Sequence, residues 1–122
     1  MPSDLNLNLD RVTAALRSRR MPVDTEARLQ AEIGAVLADM GIPVTAEYRL
    51  DQRNRIDFFA DGIGIEAKIG GGRLSVWRQL ERYAAFPSIT ALVLVGTVAV
   101  PSSISTCGGK PFRHVSVGAG WL

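Results

Sequence analysis

The chain has one cysteine and one histidine, and each scarcity excludes something. A single thiol, Cys107, forms no intramolecular disulfide, so the fold must be held by its core, and nothing in cysteine usage points to an oxidising compartment. The sole histidine, His114, has no second metal-ligating side chain at ligand spacing, which argues for a structural or surface role and against a His/Cys metal site. The longest strongly apolar run, Ile89 to Val100, is too short to span a bilayer and does not resemble a secretion signal. No repeat or low-complexity tract interrupts the chain. These absences lead to the expectation of a cytoplasmic protein with no membrane partner.

What is present describes a small globular domain. The 122 residues are 47% hydrophobic, enough for one core, and a single domain spanning 1–122 is expected, with 1–22 as an N-terminal helical extension. The net charge of +2 says little about partners. Its distribution says more. Basic residues gather at Arg17, Arg19 and Arg20, at Arg49, Arg53 and Arg55, and at Lys68, Arg73, Arg78 and Arg82, so any contacts to phosphate would fall there.

The hydrophobic pattern predicts a short helix from Asp10 to about Arg20, with Val12, Ala15 and Leu16 on one side. A second helix is expected over Thr25 to Met40, opened by Asp24 or Thr25 as N-cap and stopped by Gly41. Leu29, Ile33, Val36, Leu37 and Met40 share one stripe of it, and Glu26 lies inside that stripe, an unusual place for a carboxylate. Strands follow over Val44 to Leu50, Arg55 to Ala60 and Ile63 to Ile69. The last two are joined by Asp61-Gly62, the preferred pair for a two-residue type I′ turn. A helix over Ser75 to Ala85 and a β-branched strand over Ile89 to Val95 come next, with a further strand possible over Phe112 to Val117. The expected class is α/β (α+β with a mixed sheet): helix, three-strand antiparallel meander, helix, parallel strand.

The turn fixes a register. With Asp61 and Gly62 as the loop, residue 60 pairs with 63 and Asp57 comes to lie opposite Glu66. Alternation puts Lys68 on the same face, with Ile56, Phe58, Ile65, Ala67 and Ile69 on the other as core. Two facing carboxylates repel, and burial penalises their charge further, so the arrangement calls for a cation. Carboxylate oxygens, a backbone carbonyl and water suit Mg²⁺ or Mn²⁺, ions that also take phosphate oxygens as ligands. Lys68 would then stabilise charge on a phosphoryl group.

Arg55-Ile56-Asp57 followed across a hairpin by Glu66-Ala67-Lys68 resembles the core of the PD-(D/E)xK nuclease superfamily, the restriction-endonuclease-like fold. Ile56 stands where the motif name has Pro. The resemblance implies that Asp57 and Glu66 bind metal together with the carbonyl of Ala67, and that Lys68 is catalytic. It also implies an acidic residue from the preceding helix completing the site, for which Glu26 is the choice and Glu32 the runner-up. Gln79 and Tyr83 resemble the Gln-x-x-x-Tyr helix of the RecB-like branch, which helps position DNA, and Arg55, Arg78 and Arg82 are expected beside it as substrate contacts. The stretch from Glu26 to Val95 looks like small bacterial and phage-encoded nuclease-like proteins. The activity implied is Mg²⁺-dependent hydrolysis of nucleic-acid phosphodiesters, with DNA as the expected partner and a homodimer compatible with cutting two strands. The alternative is a non-catalytic nucleic-acid-binding or assembly module on the same fold.

Overall fold

A computed structural model describes residues 4–118. The elements are α1 (Asp4–Arg17), α2 (Glu26–Asp39), β1 (Thr45–Arg49), β2 (Arg55–Ala60), β3 (Ile63–Lys68), α3 (Arg73–Ala84), β4 (Ala91–Gly96), β5 (Thr106–Cys107) and β6 (Lys110–Ser116). The six strands form one mixed sheet in the order β1-β2-β3-β4-β6-β5. β1, β2 and β3 make an antiparallel meander, while β4 runs parallel to β3 on one side and to β6 on the other.

Local chemistry explains most of these boundaries. Thr25 caps α2 by accepting the Arg28 N–H on its hydroxyl, and the chain leaves that helix through Gly41 at a φ of 70°. Asp61 and Gly62 both take positive φ, 49° and 88°, as a type I′ turn requires. The ladder that follows pairs Ala60 with Ile63, Phe59 with Gly64 and Phe58 with Ile65, the register expected from the turn. Gly62 is held to glycine twice over, because a Cβ there would stand 2.2 Å from the Thr90 hydroxyl.

Helices cover both faces of the sheet. α1 and α2 bury Leu9, Val12, Leu16, Leu29, Ile33 and Leu37 against Phe58, Ile65, Val93 and Val115 on one side. α3 buries Val76, Leu80 and Tyr83 against Ile56, Leu92, Leu94 and Phe112 on the other. The segment expected as an N-terminal extension therefore contributes to the main core, and its helix begins at Asp4 instead of near Asp10. β3 and β4 are buried along almost their whole length, as interior strands covered on both faces should be.

Two sequence expectations need correction. The meander does not have one apolar and one charged face, since apolar clusters cover it on both sides. Nor does Ile56 share a face with Phe58: it packs under α3, whereas Phe58 packs under α2. The break coincides with a distortion of β1, where Glu47 adopts a left-handed φ of 52°. The β1–β2 pairs Thr45–Phe59 and Ala46–Phe58 give way to Tyr48–Ile56 and Arg49–Arg55, stepping over Glu47 and Asp57. Strict alternation is broken at that step, and Asp57 sits on it. β5 also went unforeseen. It pairs with β6 around Gly108-Gly109, a second two-residue turn with both φ values positive.

Candidate active site

The β2–β3 ladder stops one step short of Asp57 and Glu66, and side chains take over where backbone pairing ends. The Asp57 N–H donates to Glu66 Oε1 at 3.1 Å, and the Ala67 N–H donates to Asp57 Oδ2 at 2.8 Å. Each carboxylate thus accepts a backbone N–H of the other strand at the point where regular pairing ends. This reciprocal pair fixes both carboxyl groups where β2 and β3 part.

Glu66 is 4% exposed. Burial, and then the Asp57 charge beside it, push its carboxyl up from 4.5 to about 8, while the Asp57 N–H bond and then Lys68 oppose the shift only in part. The Lys68 ammonium stands 3.9 Å from Glu66 Oε2, a long contact that leaves it partly open to solvent. The Glu66 carboxyl accordingly keeps its proton to higher pH than a free glutamate does.

α3 closes the site from the opposite side. The Tyr83 hydroxyl lies 3.0 Å from the Arg55 carbonyl and 3.3 Å from Glu66 Oε2, and it accepts the Gln79 amide N–H at 2.8 Å. With one proton, Tyr83 shares its donor between the Arg55 carbonyl, the nearer acceptor, and Glu66 Oε2. Burial and the Glu66 carboxyl push the Tyr83 phenol further up, so it stays protonated. Gln79 and Tyr83 are thus joined to the carboxylate pair by hydrogen bonds, and Gln79 lines a hollow of about 560 Å³ with Arg78 and Arg82. The Arg55 side chain is exposed, and its backbone carbonyl is the part that meets Tyr83.

Glu26 reaches the same end of β3 from α2. Its Oε1 accepts the Ile69 N–H at 3.1 Å, which explains a carboxylate within an apolar stripe. Glu32 is engaged elsewhere, paired with Arg19 at 3.2 Å, and Arg19 also pairs with Asp39. Arg17 donates to the His114 carbonyl. Arg17 thus ties α1 to β6, and Arg19 ties the segment after α1 to α2. Among the described residues no three His, Cys, Asp or Glu side chains converge as a metal-binding group.

Gly96 is a site-shaping residue that sequence reasoning missed. It is the β4 partner of Lys68, and a Cβ there would lie 2.6 Å from the Lys68 carbonyl. The Thr97 N–H donates to that carbonyl at 3.1 Å and the Thr97 hydroxyl accepts the Gly70 N–H at 2.8 Å, so the turn after Lys68 is tied down from β4. His114 is half-buried, its Nε2 has no hydrogen-bond partner among the described residues, and burial pushes its pKa down, in keeping with a structural role. Cys107 is buried and its thiol is pushed up to about 11, first by burial and then by Glu81, which makes it unreactive. No helix among the described residues is long and apolar enough to cross a membrane.

Comparison with protein-family models, with curated proteins and with solved structures gives no match, so the functional reading rests on these residues themselves.

Proposed function

We propose that the protein is a divalent-metal-dependent nuclease with a restriction-endonuclease-like core, hydrolysing nucleic-acid phosphodiester bonds at Asp57, Glu66 and Lys68. The observation that carries this reading is the clasp of Asp57 and Glu66 at the opening of the β2–β3 ladder, with a buried carboxyl whose charge the protein leaves poorly compensated. Structural ion pairs are arranged to satisfy charge. This pair is arranged to need more of it.

The donor set suits Mg²⁺ or Mn²⁺. One oxygen of each carboxyl accepts a backbone amide, which orients the group, while the second oxygen of Glu66 lies beside Tyr83 and Lys68 and would have to exchange those contacts for an ion. Asp57 and Glu66, with the Ala67 carbonyl, would hold the ion. Two side-chain carboxylates are few, but Mg²⁺ usually keeps several waters and completes its shell with substrate phosphate. A bound ion would supply Lewis-acid neutralisation of the phosphoryl oxygens and a more acidic water as nucleophile.

The protein's own groups do the rest. Lys68, partly exposed beside Glu66, places a positive charge where negative charge builds on the phosphoryl group. Tyr83 and Gln79 orient the Glu66 carboxyl. Arg78 and Arg82 offer phosphate contacts along α3. Glu26 anchors Ile69 and with it the strand end that carries Lys68, so its part is positioning.

The test is incubation of pure protein with Mg²⁺ or Mn²⁺ and a panel of linear, circular, single-stranded and branched nucleic acids. Metal-dependent cleavage is expected, and Asp57→Ala and Lys68→Ala should each reduce it by roughly 10²-fold or more while circular dichroism stays unchanged. Full activity in either variant refutes the assignment. Among the described residues no third acidic side chain converges on the pair, an arrangement that a second reading also fits: a nucleic-acid-binding or assembly module without turnover. That reading predicts nucleic-acid binding at low salt with neither metal binding nor cleavage.

A further inference from the structure

α3 has a second face toward solvent that the carboxylate chemistry does not use. Between this helix and the segment after β4 lies a cleft of about 480 Å³, lined by Leu74, Val76, Trp77, Leu94, Val98 and Ile104, with Arg73 at its edge. Leu74 is 61% exposed and Ile104 36%, so the cleft is open and flanked by apolar side chains that the fold leaves in water. Trp77 is held in place by an edge-to-face contact with Phe112 at 5.3 Å between ring centroids, so the aromatic wall is preformed.

The cleft adjoins, through Leu74, a hollow that leads toward the candidate active site. Leu74 also borders the hollow formed by Ser75, Arg78, Gln79 and Arg82. From that hollow Gln79 reaches Tyr83, and Tyr83 reaches Glu66. One path therefore runs from an apolar, aromatic-walled cleft across two arginines to a pair of carboxylates. α3 adds to the positive field, having no acidic residue in its first turn and no side-chain cap at its N-terminus. A ligand that matches this sequence of surfaces carries a flat apolar ring next to a chain of negative charges.

We infer that the substrate is single-stranded nucleic acid, one base of which enters the Trp77 cleft while its phosphates cross Arg78 and Arg82 toward Asp57 and Glu66. This rests on the nuclease reading above for the identity of the reacting site, but the binding mode is testable without metal. A duplex keeps its bases stacked inside and has none to offer such a cleft without unpairing it.

The experiment uses the full chain in EDTA and measures binding of short fluorescent oligonucleotides. These are base-bearing DNA and RNA single strands, an abasic strand of equal length and charge, and a duplex. The base-bearing strands should bind roughly tenfold to a hundredfold more tightly than the abasic strand. Leu74→Asp and Ile104→Asp, both at exposed positions, should erase that margin with unchanged circular dichroism. Arg78→Ala with Arg82→Ala should weaken base-bearing and abasic strands alike and flatten the salt dependence. Equal binding of abasic and base-bearing strands, or preference for the duplex, overturns the inference. So does a dimer in sedimentation that Leu74→Asp dissolves, since a second copy would then cover the cleft. Cleavage of duplex alone in Mg²⁺ would leave the nuclease standing without this inference. A base-dependent margin with no cleavage of any substrate would leave this binding mode standing without the nuclease.

Discussion

Glu66→Gln should make the metal-free protein more stable at alkaline pH, and the size of the gain follows from the site. The Glu66 carboxyl is raised from 4.5 to about 8 by burial and by Asp57, so the folded chain binds a proton there that the unfolded chain has already released. The stability contributed by that proton is complete below pH 4.5 and is lost as pH rises through about 8. Between pH 5 and pH 8 the loss is on the order of 3 kcal/mol, which for a domain of this size lowers the melting temperature by roughly 10 °C. Glutamine keeps the acceptor for the Asp57 N–H and offers an N–H toward Tyr83, as the protonated acid does. The assay is thermal denaturation of wild type and variant in EDTA across pH 5 to 8.5. Wild type should weaken with pH relative to the variant, and Mn²⁺ at pH 8.5 should restore wild type only, because the ion binds the folded site. His114, whose lowered pKa gives a contribution lost as pH falls, is common to both proteins and cancels in the difference. Parallel stability curves for the two proteins would falsify the claim that Glu66 is a poorly compensated carboxyl.

The same geometry sets other outcomes. Gly96→Ala places a methyl group against the Lys68 carbonyl and should cut cleavage at least tenfold while every charged group remains, read by comparing turnover with retained metal binding. Tyr83→Phe leaves the Arg55 carbonyl without its donor in a partly buried setting and should cost about 1 kcal/mol in denaturant unfolding. Glu26→Gln keeps an acceptor for the Ile69 N–H and should retain activity within a few-fold, whereas Glu26→Ala should lose more, as expected of a positioning group. A large loss of metal affinity in Glu26→Gln would instead make Glu26 a ligand.

The hairpin was legible because one dipeptide fixes it. Asp61-Gly62 permits positive φ at both positions, and three ladder pairs follow from that alone. The α2 boundaries were legible for a similar reason, through the Thr25 cap and the Gly41 exit. What the sequence hid was the break at Asp57. Nothing in the residue type of Glu47 announces a left-handed φ, so alternation was carried through a position where the chain does not alternate, and Ile56 was placed on the wrong side of the sheet. Gly96 was hidden too, because its importance depends on a parallel neighbour, Lys68, that lies far away in sequence. Glu26 was noticed as out of place in an apolar stripe, but its partner, a backbone N–H at the end of β3, carries no signature in residue type.

These hidden features share a physical logic. A continuous ladder between β2 and β3 would have satisfied the backbone and left no role for carboxylates at the sheet's interior. By opening the ladder at Asp57, the fold exposes amides that only acceptors can fill, and Asp57 and Glu66 fill them at the cost of facing each other. Backbone hydrogen bonding thus holds together two carboxyl groups that electrostatics would separate if both were ionised. The strain is confined to one step of the sheet, between cores that are fully apolar on both faces. Removing the charge should therefore leave the architecture intact and relieve the conflict, whereas removing the acceptors should not. Asp57→Ala must then lose stability by leaving the Ala67 N–H unpaired, about 1–2 kcal/mol, in contrast to the gain expected of Glu66→Gln at alkaline pH. If both substitutions stabilised the metal-free protein equally, repulsion alone would govern the site and the clasp would have no structural role.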